Sequence, residues 1–234
     1  MSIMLNKNQV SAFFGMIVCF YMISAAVPRL FSAFYMLYPE QINTQFKQEA
    51  KSVTLEQHLK SEQYTQQAIS WFETGPLWQS LVLSQVRQLA FVDPAEQTEL
   101  MLAVHEANSY SLSLSPVEPY AWYRQAILAE KSNESVDSVI NNLRLSIYAA
   151  RVEPDLLLKR IVLFSKYSTA LDNEAFDMFY EQIRLASVMK FYPLLKLVAS
   201  NPNLLPSVRI ALRNNYALLN TFLLRFEKIN KKNK

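Results

Sequence analysis

Two glycines, Gly15 and Gly75, are all that these 234 residues contain. Phosphate-cradling loops, tight hairpins and strained nucleophile turns place glycine where φ is positive or where a ligand meets the backbone. A chain with two such positions lacks the material for most nucleotide-binding and hydrolase folds. Its hydrophobic share of 51%, with Leu, Ala, Gln, Glu and Lys abundant, favours helix throughout, so the expected fold class is all-α.

Residues 9 to 28, "QVSAFFGMIVCFYMISAAVP", carry no formal charge. Twenty residues of helix match a hydrocarbon core of about 30 Å, so this stretch is expected to cross a bilayer as a transmembrane helix. Arg29 then marks the water interface, and "LFSAFYMLY" extends the apolar, aromatic character to Pro39, giving an anchor with interfacial extension over 1–39. The competing reading is a cleaved secretory signal, with Lys7 in a short basic region and Ser24 and Ala26 where a peptidase cuts. The anchor is favoured because the apolar run continues past that point. Positive charge does not settle orientation, since Lys7 faces Arg29, Lys47 and Lys51 across the span, but the signal-like layout favours a cytoplasmic amino terminus. Cys19, the single cysteine, lies inside the span; Val18 before it does not suit a lipidation signal, and no disulfide framework exists.

Beyond the anchor, "EQINTQFKQEAKS" reads as a polar stalk over 40–53, and a helical domain over 54–234. Thr54 and Gln57 have capping-box spacing, followed by a helix to Phe72 that Gly75 and Pro76 break. A second helix is expected from Pro76 to Phe91. Asp93, Pro94 and Glu96 open a third, ending near Ser111, with "SLSLSPVEP" as connector. Helices then run from Pro119 to Lys131 and from Ser135 to Val152, the second striped by Val136, Ile140, Leu143, Ile147 and Ala150. Pro154 opens a helix carrying Leu157, Ile161 and Phe164. Asp172 caps a long one with Phe176, Tyr180 and Ile183 that Pro193 kinks or splits, and a last helix from Pro206 carries Leu212, Tyr216, Leu219, Leu223 and Phe226. Short loops favour antiparallel hairpins, and no segment reads as sheet.

Part of this body has tetratricopeptide spacing. Counting from Pro116 as a closing proline, Trp122 falls six residues later, at the first large position, and Ala126 at the small position where paired helices touch. Pro154 closes the unit 38 residues on, with Ala149 at a small position before it, and Leu163 and Tyr167 begin the next unit. Upstream, Val104, Asn108 and Ser111 belong to a degenerate unit. The expected architecture is therefore a transmembrane helix followed by antiparallel hairpins in a TPR-like α-α superhelix.

The run "SPVEPYAWYRQAILAE…NNLRLSIYAARVEPDLLLKRI", about residues 115–165, resembles helical periplasmic proteins that accompany exopolysaccharide and O-antigen machinery in Gram-negative bacteria, the VpsP type among them. The likeness rests on Trp122, Leu143 to Ser146, Glu153 and Pro154, and departs at Tyr123 to Gln125. It implies a single-pass inner-membrane protein with a periplasmic carboxy-terminal domain that assists surface polysaccharide biosynthesis or export. It supplies no catalytic residues. The alternative is an accessory scaffold of a membrane-spanning secretion or pilus complex; either way the expected partners are an inner-membrane protein complex and the lipid bilayer through residues 9–28.

No chemistry-bearing constellation stands out. The histidines, His58 and His105, lie on separate expected helices in polar surroundings, and "HEAN" at 105–108 lacks the second histidine of a zinc-protease helix, so neither metal nor cofactor is expected. Asp172, Glu174 and Asp177 suit the positive end of a helix dipole. Trp71, Trp78 and Trp122 are assigned to the core, with stacking on sugars as the alternative. Net charge is +3 with the excess in the tail "RFEKINKKNK", a solvated helix end or a contact for anionic lipid or polymer; this is no nucleic-acid footprint. An enzyme would need acidic and glycine motifs that are missing, so the chain is read as non-enzymatic. The candidate partner-binding residues are Arg124, Arg144 and Arg160, placed to hold an acidic segment or phosphate; the alternative pairs them with Glu130, Glu153 and Asp155 along helix surfaces.

Overall fold

The computed structural model describes residues 7–232; the first six residues of the expected anchor and the last two of the basic tail lie outside them. Among the described residues there are eleven α-helices, three short 3-10 turns and no strand. The chain divides into two compact units, the first ending at Ser115 and the second beginning at Pro116, where one helical domain over 54–234 was expected.

The first unit holds α1 (Lys7–Gln48), α2 (Leu55–Trp71), α3 (Gly75–Gln88) and α4 (Pro94–Leu114). Helix α1 is long and apolar enough to cross a membrane, and it runs unbroken through Pro28 and Pro39. The expected stalk over 40–53 is accordingly not free. Ser32, Met36, Pro39 and Ile42 are buried at helical spacing, so α1 passes from the apolar span straight into a packed face on α2. At Pro39 that packing offsets the N–H that proline removes from the helix. Ring pairs Phe31–Trp71, Tyr38–Tyr64 and Phe46–His58 step in opposite directions along the two helices, which makes them an antiparallel hairpin. The capping box is formed: the Gln57 amide donates to Thr54 Oγ1 at 3.3 Å and Thr54 N donates to Gln57 Oε1 at 2.9 Å.

Polar contacts join α2 to α3. The Ser61 and Ser84 hydroxyls meet at 3.0 Å, and Gln85 and Gln88 donate to the two Glu62 oxygens at 2.9 and 2.6 Å. Gly75 opens α3 without a positive φ; its role is close approach, because a Cβ there would lie 2.1 Å from Ser115 Oγ and 2.7 Å from Ser115 Cβ. Helix α4 extends to Leu114, so "SLSL" is helical rather than connector, and Asp93 precedes it without capping through its side chain.

The second unit holds α5 (Pro119–Lys131), α6 (Val136–Ala149), α7 (Leu157–Lys166), α8 (Asn173–Met189), α9 (Phe191–Ser200), α10 (Leu205–Leu212) and α11 (Tyr216–Lys232). Asn133 takes φ 54° in the turn after α5, and the Asn133 and Glu134 amides donate back to the carbonyls of Glu130 and Ala129. That left-handed closure reverses the chain and lays α6 on α5. Ser135 then caps α6 through the Ser138 amide.

One apolar core runs through this unit, from Ala126 and Ala129 through Leu143, Phe164, Phe179 and Leu194 to Phe222 and Phe226. Three sequence stripes are shifted. In α6 Val139 is buried and Val136 exposed; in α8 Phe179 is buried while Phe176 and Tyr180 lie at its edge. The expected last helix is two, because the chain breaks over 213–215 and resets the helical phase, leaving Tyr216 exposed and Phe222 buried. The split near Pro193 falls at Lys190, which puts Pro193 in the first turn of α9, where its missing N–H has no helical partner to lose.

Candidate functional site

The three arginines predicted to face a partner have three different surroundings. Arg160 is 0% exposed. Its Nη2 donates to the Ser146 carbonyl at 2.5 Å and to Ser146 Oγ at 2.9 Å, its Nε to Ser146 Oγ at 3.1 Å, and its Nη1 to the Ala150 carbonyl at 3.0 Å and Gln182 Oε1 at 3.3 Å. The Ser146 hydroxyl donates to the Pro119 carbonyl at 2.7 Å, and Gln182 donates to the Arg151 carbonyl at 3.2 Å. A guanidinium thus closes the negative end of α6 and ties α5, α6, α7 and α8 together. Burial pulls its pKa down to about 10, with Glu153 opposing the shift. Arg160 is a core clamp and not a partner-binding residue.

Arg144 is mostly covered and holds the start of α8. It pairs with Asp172, its Nε lies 3.9 Å from a Glu174 oxygen, and Asn141 accepts from its Nη1 at 3.3 Å. Asp172 also accepts the Ala175 amide at 2.9 Å, and that bond, followed by Arg144, holds its carboxyl below the usual range. Tyr148 donates to Glu174 beside it. Arg124 is half-buried, and desolvation pulls its pKa down to about 10 against the pull of Glu118.

The carboxylates proposed as partners for these arginines take other cations or a phenol: Glu130 bonds Lys166 at 2.8 Å, Asp155 lies 3.3 Å from Lys190, and Glu153 accepts from Tyr120 at 2.8 Å. Burial and that hydrogen bond push the Tyr120 phenol up to about 12.

Of the residues assigned to repeat packing, Ala126 and Leu163 are buried in the core. Trp122 is half-buried, and its indole N–H donates to the Pro116 carbonyl at 2.7 Å, bracing the entry to α5. Tyr167 sits at the core edge with its hydroxyl 3.4 Å from Glu130, while Ala149 and Pro154 are partly exposed.

Two of the concavities among the described residues bear on binding. A cleft of about 350 Å³ in the second unit is lined by Tyr180, Arg184, Arg213, Asn214 and Asn215, with Asp177 at its edge. Its signal was "RNN" at 213–215, hidden inside a stretch read as continuous helix. In the first unit an open groove of about 720 Å³ is lined by Phe46, Val53, Leu83, Val86, Arg87 and Phe91. Arg87 lies 4.1 Å over the Phe46 ring and donates to Asn43 at 2.6 Å.

His58 is not in polar surroundings. It is 0% exposed between Phe46 and Phe91, and neither ring nitrogen has a hydrogen-bond partner. Burial, and then Arg87, lower its pKa, so the folded chain keeps it neutral. The unfolded chain takes up the proton first as pH falls below the model-peptide value of 6.5. The stability this neutral imidazole confers is therefore present above pH 6.5 and is lost as the pH drops towards the folded pKa. We expect the thermal midpoint of the detergent-solubilised chain to fall on going from neutral to mildly acidic buffer, and His58→Leu to flatten that dependence. An equal slope in both proteins would assign the pH response elsewhere.

Among the described residues, no group of three His, Cys, Asp or Glu side chains is placed to hold a metal ion. The cleft at Tyr180 presents two guanidinium groups, and the apolar groove has Arg87 at its wall. No protein-family model, curated protein or solved structure matches this chain.

Proposed function

We propose that the chain is a non-enzymatic, single-pass adaptor of the TPR-like type, anchored in the inner membrane of a Gram-negative bacterium with its helical body in the periplasm, where it assists surface polysaccharide biosynthesis or export. The observation that carries this reading is α1, one helix that is both an apolar span and, from Ser32 onward, a structural member of the first unit. A first unit joined to its anchor in this way suits a part held at a fixed height over a membrane complex.

The repeat-like character draws support from the α5–α6 hairpin, with Ala126 and Ala129 buried where two helices approach closely and Trp122 early in the first. The cleft between α8 and the α10–α11 turn adds planar polar groups, a phenol and two guanidinia, groups suited to holding sugars and their anionic substituents. The likeness of residues 115–165 to the VpsP type points to the same process.

A reporter that works only in the periplasm, fused after Lys234, is expected to be active, with the mature chain retaining residues 1–28. Deleting the gene is expected to lower surface polysaccharide, restored by the full chain. An active reporter combined with unchanged polysaccharide and lost pilus or secretion function would move the proposal to the other envelope machinery; an inactive reporter would overturn the periplasmic placement.

A further inference from the structure

The apolar character of α1 does not stop where its span ends. Residues 9–28 as helix cover about 30 Å, the thickness of a hydrocarbon core, and each further residue adds about 1.5 Å. Leu30, Phe34 and Leu37 follow at helical spacing and are 69%, 65% and 62% exposed. They lie on the side of α1 away from Ser32, Met36 and Pro39, which α2 covers.

At the same level a second element contributes. Because α2 runs antiparallel to α1, its carboxy-terminal end returns beside Phe31: the Trp71 ring stacks on Phe31 at a centroid distance of 4.5 Å, with both rings more than 40% exposed. The Arg29 guanidinium lies 4.9 Å over the Phe72 ring. Residues separated by some forty positions in sequence thus meet in one collar of exposed aromatic and aliphatic groups with a cation at its lower edge. Phe31 stands about 5 Å beyond the end of the span, inside the headgroup layer, which occupies roughly 5–8 Å on each side of the core.

Exposed Trp and Phe with Arg at this depth match the chemistry of a membrane interface, where the ring body is apolar, the indole N–H needs a polar partner and a guanidinium meets lipid phosphate. We propose that Arg29, Leu30, Phe31, Trp71 and Phe72 form a lipid-docking collar, so that the α2–α3 corner of the first unit is seated in the headgroup layer of the bilayer that α1 crosses. This rests on α1 being a retained anchor. The occupant is the lipid surface itself, because the collar continues the apolar face of the span without a gap.

The test uses the full chain in phospholipid vesicles, with lipids brominated either near the headgroup or deep in the acyl chains. Trp71 is isolated by Trp78→Phe with Trp122→Phe, or read as the difference between the unaltered chain and Trp71→Phe, which leaves the other tryptophans in place. Trp71 emission is expected to be blue-shifted and to lose its larger part to lipids brominated near the headgroup, with less loss to the deep label. Vesicles that float with the protein but leave Trp71 unquenched would overturn the collar while the anchor stands, and would leave the surface to a protein partner. A chain that does not float with the vesicles would overturn the anchor and the collar together.

Discussion

Replacing Arg160 with Met is expected to cost about 3–5 kcal/mol and to lower the thermal midpoint by about 10 °C or more. Methionine keeps much of the volume, so the loss reports on polar groups rather than on a cavity. The Ala150 carbonyl at the end of α6 and Gln182 Oε1 would lose their donor, and the Ser146 carbonyl would keep only the Ala150 amide at 3.3 Å. Arg160→Lys should fall between the two, since an ammonium keeps the charge but cannot fork to Ser146 and Ala150 at once. Helical circular dichroism of the full chain in detergent, followed through heating, measures all three. A midpoint for Arg160→Met equal to that of the unaltered chain would mean that the α6 carboxy terminus is satisfied some other way.

Gly75→Ala should destabilise the first unit by about 1–3 kcal/mol, because the new methyl would overlap a neighbouring helix end. The Ser115 hydroxyl could rotate away, but its Cβ, 2.7 Å from the added carbon, is fixed to the backbone and must move with it. Separation there also loosens the bond from Ser111 Oγ to the Gly75 carbonyl, 3.3 Å long. Ser115→Gly in the same chain removes both close atoms, and the next nearest, Ser111 O at 3.5 Å, is an ordinary contact. The pair is therefore expected to recover most of the loss, a non-additivity that urea denaturation of the single and double variants would read directly. Equal losses in Gly75→Ala and in the double variant would place the strain elsewhere.

These two positions also show where the sequence was legible. Gly75 was visible as the break between two helices, yet its use there is closeness to Ser115, a residue forty positions away, and not a special φ. Arg160 stood among arginines with acidic neighbours in sequence and read as a surface cation. Its surroundings come from α5, α6 and α8, whose convergence no local spacing announces. His58 was misplaced for the same reason: the flanking "LEQHLKSE" is polar, and the rings that bury it belong to α1 and to the turn after α3. The Arg184–Arg213 cleft needed the break at 213–215, which the apolar spacing of Leu212, Tyr216 and Leu219 concealed.

Signals that act within a few residues were decided by the amino-acid sequence itself. The all-helical class, the uncharged apolar helix, the Thr54–Gln57 box and the Asp172 cap were legible there, the last two because a side chain meets a backbone amide one turn away. Asp93 marks the limit, because it starts its helix without a side-chain cap bond. Burial, pairing and continuity were left to the tertiary structure. A polar segment at 40–48 became the packed end of α1 because α2 folds back along it, and a cation became a core clamp because helix ends converge on it. Hydrogen bonds to a helix end are local, whereas desolvation and charge partners are set by whichever elements arrive from elsewhere in the chain.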